Sequence, residues 1–177
     1  MLIEFSVSNY RSFRDRQTLS MAASPRLSKT RNTFKASTSA EKLPELLKVA
    51  AIYGPNASGK SSLIRAMGIV GRLLATPRGS NDEALPVSPF RFDCTLSDAP
   101  SVFEYDFIQG GLRYRFVLGL TAQRIVQEQL TAYPKGKETL LYDRRFDAEG
   151  EHYLFGKTLD GGKEVHCAWR RLTSPTM

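Results

Sequence analysis

The residues most able to do chemistry lie at positions 54–61, which read Gly-Pro-Asn-Ala-Ser-Gly-Lys-Ser. They match the pattern Gly-x-x-x-x-Gly-Lys-Ser/Thr at every fixed position, which predicts a phosphate loop of the Walker A type. Gly54 and Gly59 allow backbone angles that turn the N–H groups of the loop toward a phosphate. Lys60 would then reach the β- and γ-phosphates of ATP, and the Ser61 hydroxyl would hold Mg²⁺. The residues that we assign to nucleotide contact here are Gly54, Pro55, Asn56, Ala57, Ser58, Gly59, Lys60, Ser61 and Ser62.

The segments on either side of the loop have the patterns needed to position it. Residues 46–53 form a short apolar run typical of a buried strand, and residues 61–75 have helical periodicity. A strand, a glycine loop and one long helix are the arrangement that the motif requires, with the helix N-terminus adding partial positive charge. The apolar face of that helix would comprise Leu63, Ile64, Met67, Val70 and Leu74.

The composition limits the class of protein. A chain of 177 residues with 41% hydrophobic residues suits one domain, with or without a small subdomain. There is no run of 18 apolar residues and the first residues lack the pattern of a signal peptide, so we expect a cytoplasmic protein without membrane contact. Two distant cysteines indicate no disulfide framework. The formal charge of +7 is compatible with nucleic-acid binding, although no basic run forms a dedicated arm.

The remaining patterns predict an α+β fold. Residues 3–7 alternate as a half-buried strand does, and residues 17–21 would pair with them. We predict a flexible loop over residues 22–41, rich in Ser, Thr, Lys and Ala, within a first segment that spans residues 1–76. Residues 77–100 would connect this segment to the rest of the chain.

The pattern of residues 101–177 predicts an antiparallel β subdomain. Residues 102–108 and 112–120 alternate on either side of a Gln-Gly-Gly turn, which is a strong hairpin pattern. Residues 124–133 and 139–146 flank a second turn in the same way. The aromatic residues of the first hairpin could stack on nucleic-acid bases, but their strand spacing favours a place in the core.

Together with the segment Asn-Tyr-Arg-Ser-Phe at positions 9–13, the loop resembles the N-terminal lobe of an ABC-type ATPase head. The similarity is to the SMC-like and OLD-like group of AAA family ATPases found in bacterial phage defence. The similarity covers most of the chain, including the aromatic hairpins. It implies a P-loop fold with a mixed sheet, in a head that dimerises when it binds ATP. It also implies that Asn9 and Arg11 lie beside the nucleotide, and Asn56 near the phosphates.

The sequence departs from the pattern of such a head at the motifs that catalysis requires. The family pattern has a Walker B strand ending in Asp and Glu, a Leu-Ser-Gly-Gly-Gln signature and a switch histidine. Asp143 follows an apolar run, but Arg144 stands where Glu would be, so we interpret this segment as a meander strand. Residues 159–163, Leu-Asp-Gly-Gly-Lys, superficially resemble the signature, but Asp160 would repel a phosphate. We therefore interpret 159–163 as a turn, with no apolar helix after it.

The sequence thus predicts half of an ATPase head. Its C-terminal lobe would be missing through truncation or supplied by another chain, and without it ATP hydrolysis would be weak or absent. Partners could be a second copy, a chain carrying the lobe, a nuclease or a nucleic acid. The alternative function is a non-hydrolysing nucleotide-binding subunit. A zinc site lacks suitable ligand spacing, and we place His166 and Cys167 in a strand.

Overall fold

The computed structural model describes residues 1–26, 30–38, 43–75 and 84–173. In that part of the chain, no helix combines the length and the hydrophobicity needed for a transmembrane span. The α-helices of the described residues are α1 (Lys60–Met67), α2 (Ile69–Ala75) and α3 (Gly162–Thr173). The strands are β1 (Leu2–Ser8), β2 (Gln17–Ser20), β3 (Thr33–Phe34), β4 (Leu46–Leu47), β5 (Ser101–Gln109), β6 (Leu112–Leu120), β7 (Ile125–Ala132), β8 (Thr139–Asp147) and β9 (Gly150–Phe155).

Seven strands form one sheet in the order β2-β1-β5-β6-β7-β8-β9. The pairing of β1 with β2 and both predicted hairpins are confirmed. A mixed sheet was expected, but within the described residues every pair is antiparallel. The reason is the connections: tight turns join consecutive strands from β5 onward, and a tight turn can only reverse the chain.

The helices α1 and α2 pack on one face of this sheet. Phe5 and Phe103 from the strands are fully buried against Ala66 and Ile69 from the helices. Directly opposed residues of neighbouring strands share a side of the sheet. A row of such opposed residues crosses the sheet through Phe5, Tyr105, Phe116, Leu130, Tyr142 and Phe155. The core assignment of the aromatic hairpin is therefore confirmed for Phe103, Tyr105 and Phe116.

Tyr105 attaches α1 to the sheet. Its hydroxyl donates to the carbonyl oxygens of Ala66 at 3.2 Å and Met67 at 3.4 Å. Burial raises the pKa of Tyr105 to about 12, so the hydroxyl keeps its proton and remains a donor at neutral pH. The C-terminal end of the helix that follows the glycine loop is thus held against β5.

The strand predicted over residues 46–53 is wrong for most of its length. Only Leu46 and Leu47 are in a strand, and they pair with β3. Val49, Ile52 and Tyr53 are 67%, 40% and 93% exposed. A strand that is buried on both faces needs paired strands on both sides. Among the described residues no strand pairs with 48–53, and Lys48 and Val49 instead hydrogen-bond to Asn32.

The single long helix predicted over residues 61–75 is also wrong in detail. The structure divides it at Gly68, whose φ of −87° and ψ of 0° end α1 before α2 begins. Leu63, Met67 and Val70 do pack against the core, but Ile64 is 60% exposed. The side chain of Leu74 lies outside the described residues.

A third correction concerns the C-terminal segment, where His166 and Cys167 lie in helix α3 and not in a strand. The helix begins at Gly162, directly after a turn at 160–161, although no helix was expected there. His166 stacks on Phe155 with ring centroids 4.3 Å apart and planes 9° apart, and Trp169 also contacts that ring. The spacing of three residues between His166 and Trp169 is the helical pattern that the strand assignment overlooked.

The predicted loop and connection are described in part. Within 22–41, β3 pairs with β4, while residues 27–29 and 39–42 lie outside the described residues. Within 77–100, residues 84–100 include a short 3₁₀ turn at Cys94–Leu96, and residues 77–83 lie outside the description. The flexibility of the loop and the segment boundaries stay predictions.

Candidate functional site

The glycine loop bends through two left-handed residues before α1 begins. Ala57 has a φ of 65° and Gly59 a φ of 93°. Gly59 caps α1 without a side-chain hydrogen bond, and its carbonyl accepts the N–H of Leu63 at 2.9 Å. The N–H groups of the first helical turn have no partner within the helix, so they face the loop together with the positive end of the helix dipole. Such an arrangement of donors is suited to an anion.

The ammonium group of Lys60 lies within the curve of the loop. Its Nζ donates to the carbonyl oxygens of Gly54 at 2.8 Å and Pro55 at 2.7 Å, and to the Ser58 hydroxyl at 3.4 Å. Oxygen atoms of the loop thus surround the positive charge. A phosphate oxygen carries more negative charge than a carbonyl oxygen and makes the stronger hydrogen bond, so it could replace these partners.

An open cavity of about 340 Å³ lies beside the loop. The loop forms one wall, and the opposite wall comes from the turn after β1 and from the start of β2. No carboxylate is among the described residues that line it. The lining residues are Phe13, Gln17, Thr18, Ile52, Tyr53, Gly54, Pro55, Ser58, Gly59, Lys60 and Leu63.

The turn at 9–13 touches the glycine loop. A Cβ atom added to Gly59 would lie 3.0 Å from Cε1 of Phe13 and 3.1 Å from the Ser12 hydroxyl. Gly59 therefore has two reasons to be glycine: its left-handed φ and the closeness of this turn. The contact also joins two sequence segments that the resemblance placed at one site.

Asn9 is buried and holds this turn in shape. Its side-chain amide donates to the carbonyl oxygens of Leu96 at 3.0 Å and Ala99 at 2.9 Å, with a longer contact to Pro100 at 3.4 Å. Its carbonyl oxygen accepts the N–H of Phe90 at 3.0 Å. These bonds engage the amide nitrogen and the amide oxygen of the side chain with backbone groups. Its contact with a nucleotide stays a prediction.

Arg11 follows in the same turn with a φ of 53°, and its N–H donates to the Ser88 carbonyl at 2.8 Å. Its side chain is half-buried, and neither Arg11 nor Asn9 is among the residues lining the cavity. The left-handed backbone and the bond to Ser88 fix the position of the Arg11 backbone, from which the side chain extends. Its reach to the phosphates stays a prediction.

Four of the predicted loop contacts do not line the cavity in this structure: Asn56, Ala57, Ser61 and Ser62. Ser61 is exposed in the first turn of α1, and its role as a Mg²⁺ ligand stays a prediction. In the described part of the chain, no three His, Cys, Asp or Glu residues group closely enough to hold a metal ion.

The wall opposite the loop was missed by reasoning from the sequence. In the sequence, Phe13 is the last residue of the Asn-Tyr-Arg-Ser-Phe segment, and Gln17 is the first residue of a predicted strand. Nothing in the spacing of Phe13, Gln17 or Tyr53 indicates a shared cavity. Gln17 lies near the turn that carries Phe13 because β2 folds back antiparallel along β1.

Residues 49–165 match the family described as "AAA domain, putative AbiEii toxin, Type IV TA system". The chain belongs to this family of AAA domains. The match includes the whole glycine loop and most of the meander, and it agrees with the nucleotide binding that the loop indicates. Residues 1–48, with β1, β2 and the turn at 9–13, precede the match. No curated protein matches the chain.

Proposed function

We propose that the chain binds Mg-ATP through residues 54–62 and forms the nucleotide-binding half of an ATPase head. The observation that supports this most is Lys60, whose ammonium group lies inside the glycine loop at the N-terminus of α1. A cation, free N–H groups and the helix dipole act together on one anion. Membership of an AAA family agrees with this choice of ligand.

Binding would exchange the partners of Lys60. In this structure its Nζ is held by the carbonyl oxygens of Gly54 and Pro55. When ATP binds, phosphate oxygens would take the place of these carbonyl groups and the N–H groups at the start of α1 would bond the β-phosphate. Ser61 would then turn its hydroxyl to Mg²⁺.

Hydrolysis would need groups that the described residues do not bring to the cavity. Turnover requires a positioned water and a carboxylate on Mg²⁺, and no carboxylate lines this cavity in the described residues. We propose that a C-terminal lobe supplies them, from a longer form of the chain, a second copy or a partner chain. The exposed apolar residues Val49, Ile52 and Tyr53 support this, because a further lobe that packed against 48–53 would cover them.

The finer features of the resemblance belong to the same proposal. They are the SMC-like and OLD-like character, a role in phage defence, a nuclease or nucleic-acid partner, and a cytoplasmic location. The alternative is a regulatory subunit that binds nucleotide and does not hydrolyse it. The cavity without carboxylates fits both, and phosphate release measured with the completed head would separate them.

Calorimetric titration of the chain with Mg-ATP tests the proposal. Lys60→Ala removes a charge-assisted contact worth about 1.5–3 kcal/mol, so ATP affinity should fall by about tenfold or more. Lys137→Ala is the matched control, because Lys137 is exposed in the turn between β7 and β8. Equal ATP affinity in Lys60→Ala and wild type would refute the assignment of the loop.

A further inference from the structure

An ion pair outside the cavity holds the turn that touches the glycine loop. Arg14, the residue after Phe13, donates from Nε at 3.0 Å and from Nη2 at 2.8 Å to one carboxylate oxygen of Asp93. Neither Arg14 nor Asp93 is among the described residues that line the cavity. On the basis of the function proposed above, we propose that these two are positioning residues. Their ion pair sets how the 9–13 turn packs against Gly59, and thereby the affinity of the loop for phosphate.

The turn is a closed unit, so a constraint at Arg14 reaches Phe13. The N–H of Asn9 donates to the Arg14 carbonyl at 3.1 Å, and Tyr10 and Phe13 exchange two backbone hydrogen bonds of 2.8 and 2.9 Å. The side chain of Asn9 anchors the first end of the turn to residues 90–100. Arg14 anchors the other end, next to the ring that contacts the loop.

Asp93 is itself fixed by its own segment. Its Oδ1 accepts the N–H of Thr95 at 3.0 Å and the Thr95 hydroxyl at 2.6 Å, which caps the 3₁₀ turn Cys94–Leu96. The bonds from Thr95 and Arg14 hold the pKa of Asp93 below its usual range, so the carboxylate is charged at neutral pH. Arg14 also meets Asp15 at 3.3 Å, but Asp15 is its neighbour in sequence, so this contact joins no second segment.

The contact between the turn and the loop leaves little free space. A Cβ atom added to Gly59 would lie only 3.0 Å from the Phe13 ring. Gly59 is the N-cap of α1 and Lys60 is the first residue of that helix. A displacement of the turn would therefore alter the position of the N–H groups and the ammonium group that face a phosphate.

Calorimetric titration with Mg-ATP and with Mg-tripolyphosphate tests the role of the pair. Asp93→Asn removes the ion pair but keeps the cap on Thr95, because asparagine caps as well as aspartate does. It should weaken both probes about two- to fivefold, the range that an exposed ion pair can supply. Asp15→Asn is the matched control, since it makes the same change of charge beside the same arginine. It should bind both probes at least as tightly as wild type.

The direction of the change separates positioning from a simple effect of charge. Removing a negative charge by itself favours an anion, so weaker binding by Asp93→Asn has to come from the loop. Arg14→Gln should also bind more weakly, and the double variant should bind no more weakly than Arg14→Gln alone, because both changes remove one contact. In the ligand-free chain, the amide NMR signal of Gly59 should move in Asp93→Asn and stay in Asp15→Asn. Thermal unfolding of each variant checks that the fold is retained.

The outcomes distinguish this inference from the proposed function. Equal affinity of Asp93→Asn and Asp15→Asn, with binding weakened in Lys60→Ala, overturns the positioning role and leaves the phosphate site standing. A Gly59 signal that does not move in Asp93→Asn also overturns it. Additive losses in the double variant overturn the ion pair as the cause. Absence of binding of both probes to wild type overturns both proposals.

Discussion

Asn9 shows how far a motif can predict the role of one residue. The sequence resemblance assigns it to the nucleotide, whereas its visible contacts are with backbone groups of 90–100. Lys60 is the opposite case. The spacing of the motif alone predicts a lysine at the N-terminus of a helix, and Lys60 is the first residue of α1. The difference is physical: a loop motif specifies local backbone geometry, while the partners of Asn9 are more than 80 positions away in sequence.

The first prediction concerns Asn9→Ala. The substitution would leave two partly buried carbonyl groups and one N–H without their partner, and Asn9 is 5% exposed with a φ of 48° that asparagine tolerates well. We expect a loss of about 2–4 kcal/mol in the free energy of unfolding. Urea denaturation followed by circular dichroism measures it.

The control for this measurement is Asn56→Ala, since Asn56 is exposed in the glycine loop. Its unfolding free energy should stay within about 0.5 kcal/mol of wild type. A loss in Asn9→Ala no larger than that of the control would show that the bonds to 90–100 contribute little to stability.

At the scale of elements, the glycines at the two ends of α1 have different roles. Gly59 has a left-handed φ of 93° and lies against Phe13. Gly68 has a φ of −87°, and an added Cβ would meet nothing closer than 3.5 Å. The same substitution at the two positions therefore separates a required glycine from a replaceable one.

We predict that Gly59→Ala loses Mg-ATP binding, because the new Cβ forces the loop and the 9–13 turn apart. Gly68→Ala should keep ATP affinity and raise the unfolding free energy by up to about 1 kcal/mol, since alanine favours helix over glycine. Calorimetry and urea denaturation on both variants provide the measurements. If Gly59→Ala bound ATP as tightly as Gly68→Ala does, the bent loop would not be the binding conformation.

The strands β8 and β9 carry a half-buried ionic network centred on Glu151. Its carboxylate accepts hydrogen bonds from Tyr153 at 2.6 Å and Arg144 at 2.8 Å, and Arg124 approaches at 3.4 Å. Burial opposes the charged form, but the bonds from Tyr153 and Arg144 outweigh it and hold the pKa of Glu151 below its usual range.

This lowered pKa predicts an acid-sensitive stability. The contribution of Glu151 is complete above the pKa of an unfolded glutamate, about 4.3, and is lost as the pH falls through the lower folded value. Glu151→Gln should therefore lose less stability than wild type between pH 7 and about pH 3. Glu149→Gln, in the exposed turn before β9, should behave as wild type. Urea midpoints at the two pH values test this, and identical pH dependence in all three proteins would contradict it.

The strands were the most predictable elements, for a reason visible in their pattern. β5 and β6 alternate around a turn of two residues, so local chemistry determines their pairing. The segment 46–53 is also apolar, but within the described residues only Leu46 and Leu47 find a strand to pair with, and that pairing partner is distant in sequence. Helix α3 was missed because two adjacent residues were judged without the helical spacing around them.

For the whole molecule, the fold brings the two regions named by the sequence into contact. The glycine loop and the turn after β1 are more than 40 positions apart, yet they meet at Gly59 and enclose one cavity. The motif predicted the part of the lining that the glycine loop supplies. The part supplied by Gln17 and Thr18 depends on sheet pairing and could not be derived from spacing.

The measurement that tests this account most directly is the location of bound Mg-ATP, read from the backbone amide NMR signals of the chain during a titration. We predict that the largest shifts fall on residues 54–62, followed by those of the 9–13 turn and the start of β2, and that Lys60→Ala removes them. The meander from β7 to β9 should stay unchanged. Shifts concentrated on β7 to β9, or shifts that persist in Lys60→Ala, would contradict the account.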